Sequence, residues 1–211
     1  MTTDTGIIIL AAGSSQRLGR PKQLLPYQGS TLIRRSVAAA EGARPSVVVV
    51  VVGAAAALVA QEVADKDIAV VFNAEFREGM ASSIRCGVNY LLNNTPEVDN
   101  IVIMTCDQPY VDAAHLRKLI LEGQKSNLKI AASLYDGQRG VPALFNKALF
   151  DELITLKGDS GAKSIIRRYR SEAAAIPLPS GGIDIDDEAA YLTLIASTSI
   201  EDEKTARDHD S

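Results

Sequence analysis

The sequence predicts a single α/β domain organised around a doubly wound, mostly parallel β-sheet. Three strand–helix units follow one another in the first half of the chain, the pattern of βαβ units with right-handed crossovers. Val47–Val52 is an unbroken run of valine, and a strand without alternation is typical of a sheet buried on both faces. The chain has 211 residues, enough for one such domain. We expect the domain to span residues 1–196, and the polar residues 197–211 to form a mobile tail.

Apolar periodicity places the elements of the N-terminal half. Apolar residues at helical spacing predict one buried helix face over Thr31–Ala43, and Gly42 and Pro45 mark the end of this helix. Ser82 or Ser83 is a suitable N-cap for the helix after the third strand. In order, the predicted elements are strand Ile7–Leu10, helix Thr31–Ala43, strand Val47–Val52, helix Ala54–Ala64, strand Ile68–Phe72 and a helix that ends at Leu92.

The C-terminal half continues the alternation with one turn between two strands. Asp112 is the expected N-cap of the next helix, and His115 inside that helix is expected at the surface. Asp136 and Gly137 form a turn signal. In order, the predicted elements are strand Asn100–Met104, helix Ala113–Gly123, strand Lys129–Leu134, strand Val141–Phe145, helix Lys147–Leu156, strand Ala173–Pro177 and a last helix that begins at Glu188.

Composition excludes several classes of protein. The formal net charge is −4, which argues against a general nucleic-acid-binding surface but leaves room for a local cationic pocket. The two cysteines, Cys86 and Cys106, lie outside any zinc-binding spacing. The valine run is too short to cross a bilayer, so no membrane partner is expected. Few cysteines and no signal-peptide pattern make the cytoplasm the expected location.

The segment from Ile7 to Lys22 has the composition of a polyphosphate-binding loop. A short apolar strand leads into small residues whose backbone N–H groups can bind anions, and two cations follow. Five residues separate Gly13 from Gly19 and Arg20 comes next, which excludes a Walker A loop, and the GxGxxG fingerprint is absent. The candidate nucleotide-binding residues here are Leu10, Ala11, Ala12, Gly13, Ser14, Ser15, Arg17 and Lys22.

The same segment resembles the signature LAAGxSxRxGxPK of the MobA-like nucleotidyltransferase family. Every fixed position of that signature is matched between Leu10 and Lys22. The resemblance extends over most of the chain, from about Gly6 to Leu194. It implies a Rossmann-like, GT-A-like nucleotidyltransferase fold with Arg17 and Lys22 as catalytic residues.

The segment NAEFREGMASSIRCG, which follows the third strand, resembles the base- and ribose-recognition segment of that family. Its small residues could admit a flat base, and the candidate nucleotide-binding residues are Gly79, Ser82 and Ser83. Without the resemblance, an ordinary helix N-cap would explain the two serines. Arg85 could either pack against its surroundings or reach a phosphate.

Carboxylates at the ends of two segments are the candidate metal ligands. Asp107 follows a predicted strand within CDQP, which resembles the metal motif of the family, although a turn former or helix cap is the alternative. The IDIDD segment resembles the acidic ending of the family, with Asp186 as second ligand and Asp184 as the other choice, or with the acidic group only capping the last helix. The implied cofactor is Mg²⁺, and Asp107 is then also catalytic.

Two further segments resemble the acceptor-binding parts of the family. Arg139 and Gly140 match the start of its R-G-H-P motif, but Val141 replaces the histidine. Asp159 and Gly161 match its G-D-x-G-A motif, for which a capped loop is the alternative explanation. The expected acceptor site therefore comprises Arg139, Gly140, Asp159 and Gly161.

The resemblance implies transfer of CMP from CTP to a phosphorylated pterin, molybdopterin or molybdenum cofactor, with release of pyrophosphate. Ala12 favours CTP, because the guanylyl branch of the family more often has glycine there. Guanylyl transfer, or a sugar or alcohol phosphate as acceptor, is the alternative, and a non-catalytic cofactor-binding or delivery protein is a third. A molybdoenzyme or its chaperone is a possible protein partner.

Overall fold

The computed structural model describes residues 4–125 and 128–197, so the predicted tail lies outside the described residues from position 198 onward. Nine strands and six α-helices are defined in this part of the chain. The strands are β1 (Thr5–Ala11), β2 (Pro26–Tyr27), β3 (Ser30–Thr31), β4 (Val47–Val52), β5 (Ala69–Phe72), β6 (Asn100–Thr105), β7 (Ile130–Tyr135), β8 (Gln138–Asn146) and β9 (Ala173–Pro177). The helices are α1 (Leu32–Gly42), α2 (Ala56–Glu62), α3 (Met80–Asn94), α4 (Ala113–Lys125), α5 (Phe150–Ile154) and α6 (Lys163–Arg168), and residues 188–197 are also helical.

The main sheet has seven strands in the order β5-β4-β1-β6-β8-β7-β9. β1 pairs in parallel with β4 and β6, β4 with β5, and β7 with β9, while β8 runs antiparallel to both of its neighbours. The predicted mostly parallel α/β sheet is therefore confirmed. Its antiparallel strand comes from the hairpin between β7 and β8, where Asp136 and Gly137 both have positive φ, as a tight primed turn requires.

Helices cover both faces of the sheet, which confirms the doubly wound arrangement. One core packs α1, α2 and α4 against the odd-numbered positions of β1, including Ile7 and Ile9. The other core packs α3, α5 and α6 against the opposite face, including Ile8 and Val49. Because every second residue of a strand points to the same face, the fully apolar strands predicted from the sequence serve both cores.

A third, smaller apolar cluster joins the loop after β1 to the C-terminal helix. It contains Leu18, Leu25, Tyr27, Leu32, Ile185, Tyr191 and Leu194. The Tyr191 hydroxyl also donates a 2.7 Å hydrogen bond to the Pro26 carbonyl. This cluster therefore connects the predicted phosphate loop with the IDIDD segment, although the two are far apart in sequence.

His115 is buried, so the expectation of a surface histidine is wrong. It is 5% exposed, and its Nε2 lies 2.7 Å from Ser133 Oγ. The Ser133 hydroxyl donates to the Pro142 carbonyl at 2.6 Å, so the histidine must donate to the serine. The predicted cap is confirmed, because Asp112 Oδ1 accepts from the His115 backbone N–H at 2.7 Å. The side chain of His115 therefore joins α4 to β7.

Burial lowers the pKa of His115, and this gives a pH-dependent stability. The folded state disfavours the protonated form, whereas the unfolded histidine titrates near about 6.5. The stabilisation is complete above that value and is lost as pH falls through the lower folded pKa. In urea unfolding, we expect the destabilisation caused by His115→Gln to shrink between pH 7.5 and pH 5.

The matched control is His209→Gln, which removes the other histidine of the chain. This control should leave the difference in unfolding free energy between the two pH values unchanged. A destabilisation by His115→Gln that stays constant with pH would contradict the assignment of a buried neutral imidazole.

Candidate active site

A cavity of about 790 Å³ opens at the carboxyl ends of the central parallel strands. In open α/β sheets, ligands bind at this edge, where the loops after neighbouring strands meet. The walls contain both small residues and charged residues. The lining residues are Leu10, Ala12, Gly13, Ser14, Gln16, Lys22, Ala54, Phe76, Arg77, Gly79, Met80, Ser83, Thr105, Asp107 and Asp159.

The loop after β1 is held in shape by two polar residues. Ser15 has a left-handed backbone with φ of 52°, and its hydroxyl accepts a 3.0 Å hydrogen bond from the Lys22 backbone N–H. The buried amide of Gln23 donates to the carbonyls of Ala11, at 2.8 Å, and Gly13, at 3.0 Å. These bonds occupy the carbonyl oxygens of the loop, which leaves its small residues against the cavity. Sequence reasoning missed Gln23.

Lys22 lies between two of the predicted metal-binding carboxylates. Its Nζ is 2.5 Å from Asp107 Oδ2 and 3.0 Å from Asp186 Oδ1. Burial by itself opposes the charge of Lys22, but the attraction of Asp107 and the hydrogen bonds to both carboxylates outweigh it and raise its pKa. Arg17 Nη2 reaches Asp186 Oδ2 at 3.1 Å at a more exposed position. The predicted cations and carboxylates thus form one group, of which Lys22 and Asp107 line the cavity.

Asp184 belongs to the same group of charges. The Ile185 backbone N–H donates to the Asp107 carbonyl at 3.0 Å, which fixes the IDIDD segment beside the end of β6. Burial raises the pKa of Asp184 to about 6, and repulsion from Asp107 adds to the shift. The pKa of Asp186 is lowered, because its bonds to Lys22 and Arg17 outweigh its partial burial. The two candidate second ligands therefore have opposite electrostatic environments.

The residues present fit a divalent cation, although the geometry found is that of two carboxylates bridged by a lysine. Within residues 4–125 and 128–197, no group of three or more His, Cys, Asp or Glu side chains is arranged as a metal site. Asp107 Oδ1, however, is buried and has no hydrogen-bond partner in the described structure. A buried carboxylate oxygen without a partner is costly, and a cation would satisfy it.

Asn73 organises the segment predicted to recognise the base. Its Nδ2 donates to Ser82 Oγ at 2.8 Å and to Ser83 Oγ at 3.1 Å, and its own Oδ1 accepts from the Glu75 N–H. Ser82 donates onward to the carbonyls of Glu75 and Gly79. Of the two predicted serines, Ser83 lines the cavity, whereas Ser82 braces the loop from behind.

The helix cap expected at Ser82 or Ser83 is wrong. α3 begins at Met80, with Gly79 as its N-cap at φ of 126° and no side-chain cap. Glycine is required there for space as well, because a Cβ at Gly79 would lie 2.4 Å from Asp159 Oδ1 and 2.6 Å from the Gly158 carbonyl oxygen. Gly79 therefore lets the 157–161 loop approach the start of α3.

Arg85 joins that loop to the base-side segment. Its guanidinium lies 2.9 Å from Glu75 Oε2 and 2.5 Å from Glu78 Oε2, and it donates to the Leu156 carbonyl at 2.8 Å. Glu78 Oε1 also accepts from the Gly158 N–H at 3.1 Å. Hydrogen bonds from Arg85 and Gly158 lower the pKa of Glu78 to about 2. Arg85 thus acts as a clamp between two loops.

The four predicted acceptor residues separate into two places. Asp159 lines the large cavity beside Gly79, and a Cβ on Gly161 would lie 2.8 Å from the Met80 sulfur. Arg139 lines a second, smaller cavity. Gly140 lines neither cavity and packs against Tyr135, whose hydroxyl oxygen would lie 2.1 Å from a Cβ at this position. Four predicted nucleotide-binding residues are not part of the lining of the large cavity: Ala11, Ser15, Arg17 and Ser82.

Gln108, the residue after Asp107, connects three segments beside the predicted acceptor residues. Its Nε2 donates to the Val141 carbonyl at 3.1 Å and to the Gly181 carbonyl at 2.8 Å. The Tyr135 hydroxyl also donates to the Val141 carbonyl, at 3.0 Å. Gln108 thereby connects the end of β6 with β8 and with the turn that precedes Asp184. The CDQP motif signalled this residue, but the sequence did not show which groups it would bind.

Comparison with known proteins identifies the family. The model of the family described as "MobA-like NTP transferase domain" matches residues 7–173. This chain belongs to the MobA-like NTP transferase domain family. The reaction class is therefore nucleotidyl transfer, and the match spans the loop after β1, Asp107 and the predicted acceptor residues. Among the described residues, we find no helix both long and apolar enough to cross a membrane.

Individual relatives of this MobA-like chain have diverse names. "Purine catabolism protein PucB" of Bacillus subtilis (strain 168) is 27% identical and aligns over 85% of this chain and 89% of its own length. "Nicotine blue oxidoreductase" of Paenarthrobacter nicotinovorans is 30% identical, with coverages of 76% and 80%. The fold is shared with the crystal structure of Rv0371c from Mycobacterium tuberculosis H37Rv, with 32% identity, a TM-score of 0.80 and coverages of 93% and 100%. A structure of Rv0371c in complex with manganese aligns with 29% identity, a TM-score of 0.77 and coverages of 92% and 100%.

Replacing Gln108 tests whether its two hydrogen bonds hold the acceptor side together. Gln108→Leu removes both donors, so the Gly181 carbonyl loses its bond to Gln108 and the Val141 carbonyl keeps only its bond from the Tyr135 hydroxyl. At about 1 kcal/mol or more for each bond, we expect the free energy of unfolding in urea to fall by about 2–4 kcal/mol. Gln61→Leu, on the exposed face of α2, is the control and should change stability by less than about 0.5 kcal/mol. Equal stability of the two variants would rule out a structural role for the Gln108 amide.

Proposed function

We propose that this chain transfers CMP from CTP to a phosphorylated pterin acceptor of the molybdopterin type and releases pyrophosphate. The observation that carries the proposal is the lysine-bridged pair of carboxylates, Asp107 and Asp186, beside a small-residue loop at the mouth of the large cavity. Such a site combines positive charge for a triphosphate with acidic ligands for a divalent cation.

The shape of the cavity supports one orientation of the nucleotide. The triphosphate lies along Ala12, Gly13 and Ser14, next to the ammonium of Lys22. The base extends toward Gly79, Met80 and Ser83 on the opposite wall. Arg17, which is exposed and bonded to Asp186, reaches the outer phosphates from the rim. In this orientation, the roles assigned to Ser15 and Ser82 are to shape the walls rather than to contact the nucleotide.

Asp107 and Asp186 are the residues that would hold Mg²⁺, with Asp184 beside them. When bound, the cation supplies neutralisation of phosphate charge during displacement. The unpaired oxygen of Asp107 supports this role, as does the manganese complex of the related Rv0371c. Lys22 then directs its charge toward the phosphates, because its two present partners become metal ligands.

The protein contributes positioning and charge stabilisation rather than a nucleophile of its own. An oxygen of the acceptor phosphate attacks the α-phosphorus in line, and pyrophosphate is the leaving group. A phosphate dianion needs no general base, so the site requires no catalytic triad. Asp159 and Arg139 lie on either side of the route by which the acceptor reaches the nucleotide.

The choice of CTP depends on Ala12, which lines the cavity at the position where the guanylyl branch more often carries glycine. Val141 in place of the family histidine favours a second candidate, in which GTP is the donor or a sugar or alcohol phosphate is the acceptor. A delivery role toward a molybdoenzyme or its chaperone would use the same cavity without turnover.

The first test is pyrophosphate release with Mg²⁺ and molybdopterin, in parallel with CTP, GTP, ATP and UTP. We expect release to be fastest with CTP. Asp107→Asn should lower the rate about 100- to 1,000-fold, because it weakens the binding of the cation that would neutralise the phosphate charge in the transition state. Asp67→Asn, at an exposed position, is the control and should retain full activity.

The possible outcomes of this test separate the candidates. Preference for GTP would replace the proposed donor and keep the mechanism. Release only with other phosphorylated acceptors would replace the pterin. No release with any nucleotide, together with binding of molybdopterin, would contradict catalysis and favour delivery.

Lys22→Gln should have opposite effects on metal binding and on turnover. Without nucleotide, the ammonium of Lys22 occupies the oxygens that would bind the cation, so its removal should tighten Mn²⁺ binding several-fold. Turnover should nevertheless fall about 100-fold or more, because the phosphates lose a fixed charge. Titration followed by the electron paramagnetic resonance of free Mn²⁺ measures the first effect, and weaker binding in Lys22→Gln would contradict the shared-ligand arrangement.

A further inference from the structure

A second cavity, of about 340 Å³, lies between the β7–β8 hairpin and α6. Four cations surround it, Arg139 from the hairpin and Lys163, Arg167 and Arg170 from α6 and the turn after it. Lys163 and Arg167 are spaced at i and i+4, which places them on one side of α6, and Arg170 follows in the next turn. Ile166, which is buried, supplies the apolar part of the wall. We call this cavity the cationic pocket.

None of the four cations forms a salt bridge in the part of the chain that the structure describes. Other basic residues nearby do, since Arg168 on the same helix is 2.7 Å from Glu152 Oε2 and Lys129 is 3.1 Å from Glu172 Oε2. The clearest case is Arg139, whose Nε is buried and makes no hydrogen bond within residues 4–125 and 128–197. A buried N–H of a charged group without an acceptor is costly, and an anion in the pocket would remove that cost.

The cationic pocket adjoins the acceptor side of the proposed active site. Lys163 lies over the Tyr135 ring, with its Nζ 5.9 Å from the ring centroid. Its stem passes Gly140, where a Cβ would lie 3.3 Å from Lys163 Cε. The charge of Lys163 also acts on Asp184, which belongs to the catalytic carboxylates. A ligand whose reacting phosphate lies at Asp107 can therefore extend toward the pocket along Lys163.

We infer that the cationic pocket binds a phosphate-type group of the acceptor, separate from the phosphate that attacks the nucleotide. This inference rests on the proposed function, because it assigns the acceptor a second anionic group. Guanidinium forks match phosphate oxygens in pairs, and three arginines facing one small cavity provide several such pairs. The single phosphate of molybdopterin is already the reacting group, so the pocket narrows the acceptor to a phosphorylated molecule with a further phosphate or an equivalent oxyanion, such as the oxo-metal group of the loaded molybdenum cofactor.

The test uses inorganic phosphate as the probe and the Arg139 Nε–H as the reporter. The full chain is labelled with ¹⁵N-arginine, its arginine Nε–H signals are recorded during phosphate titration, and ionic strength is kept constant with sodium chloride. Arg139→Lys assigns the signal. We expect a saturable shift of the Arg139 signal, and about a tenfold weaker dissociation constant in Arg167→Gln.

Arg168→Gln is the matched control. It removes the same charge at the neighbouring position, but the Arg168 side chain is paired with Glu152 and does not line the pocket. It should change the dissociation constant less than about twofold. A linear, non-saturating shift, or equal effects of Arg167→Gln and Arg168→Gln, would overturn the site. Turnover is not needed for this measurement. A saturable Arg139 shift without pyrophosphate release would support the anion site and contradict the proposed reaction. Pyrophosphate release without a saturable shift would support the reaction and contradict the anion site.

Discussion

The arrangement of the site depends on one electrostatic requirement, the neutralisation of three carboxylates gathered at the end of β6. Asp107 and Asp186 both raise the pKa of Asp184, which burial raises most, and Lys22 is the cation that bridges Asp107 and Asp186. To place Lys22 there, the loop after β1 must fold back across the edge of the sheet. The small apolar cluster around Tyr191 and Leu25 holds that loop against the C-terminal helix. The apolar packing of this cluster and the ion pairs of Lys22 therefore both hold the loop after β1 against the IDIDD segment.

Much of the fold could be predicted, because the information lies within short stretches of sequence. Val47–Val52 and Ala173–Pro177 were predicted at their observed bounds, since each is an apolar run between turn residues. The direction of β8 needed only the turn signal at Asp136 and Gly137. The loop after β1 was found because its small and charged residues are contiguous, and the family match over residues 7–173 agrees with it.

The remaining features depend on partners that are distant in sequence. Three buried side-chain amides donate to backbone carbonyls or serine hydroxyls of other segments: those of Gln23, Asn73 and Gln108. No local sequence pattern predicts these hydrogen-bond partners. His115 was misplaced because a single polar residue on a helix gives no sign that Ser133 faces it. The separation of Asp159 from Arg139 follows from which strand lies beside which, and strand order is a property of the whole sheet.

The hydrogen bonds of Arg85 and Glu78 connect the start of α3 to the 157–161 loop. Glu78 binds Arg85 and the Gly158 N–H together, and the Ala81 N–H donates to the Gly158 carbonyl. The start of α3 and the 157–161 loop are thus held in place by the same hydrogen bonds. A substitution that moves one of these segments also moves the other, so sequence changes in the two segments are expected to be inherited as a pair.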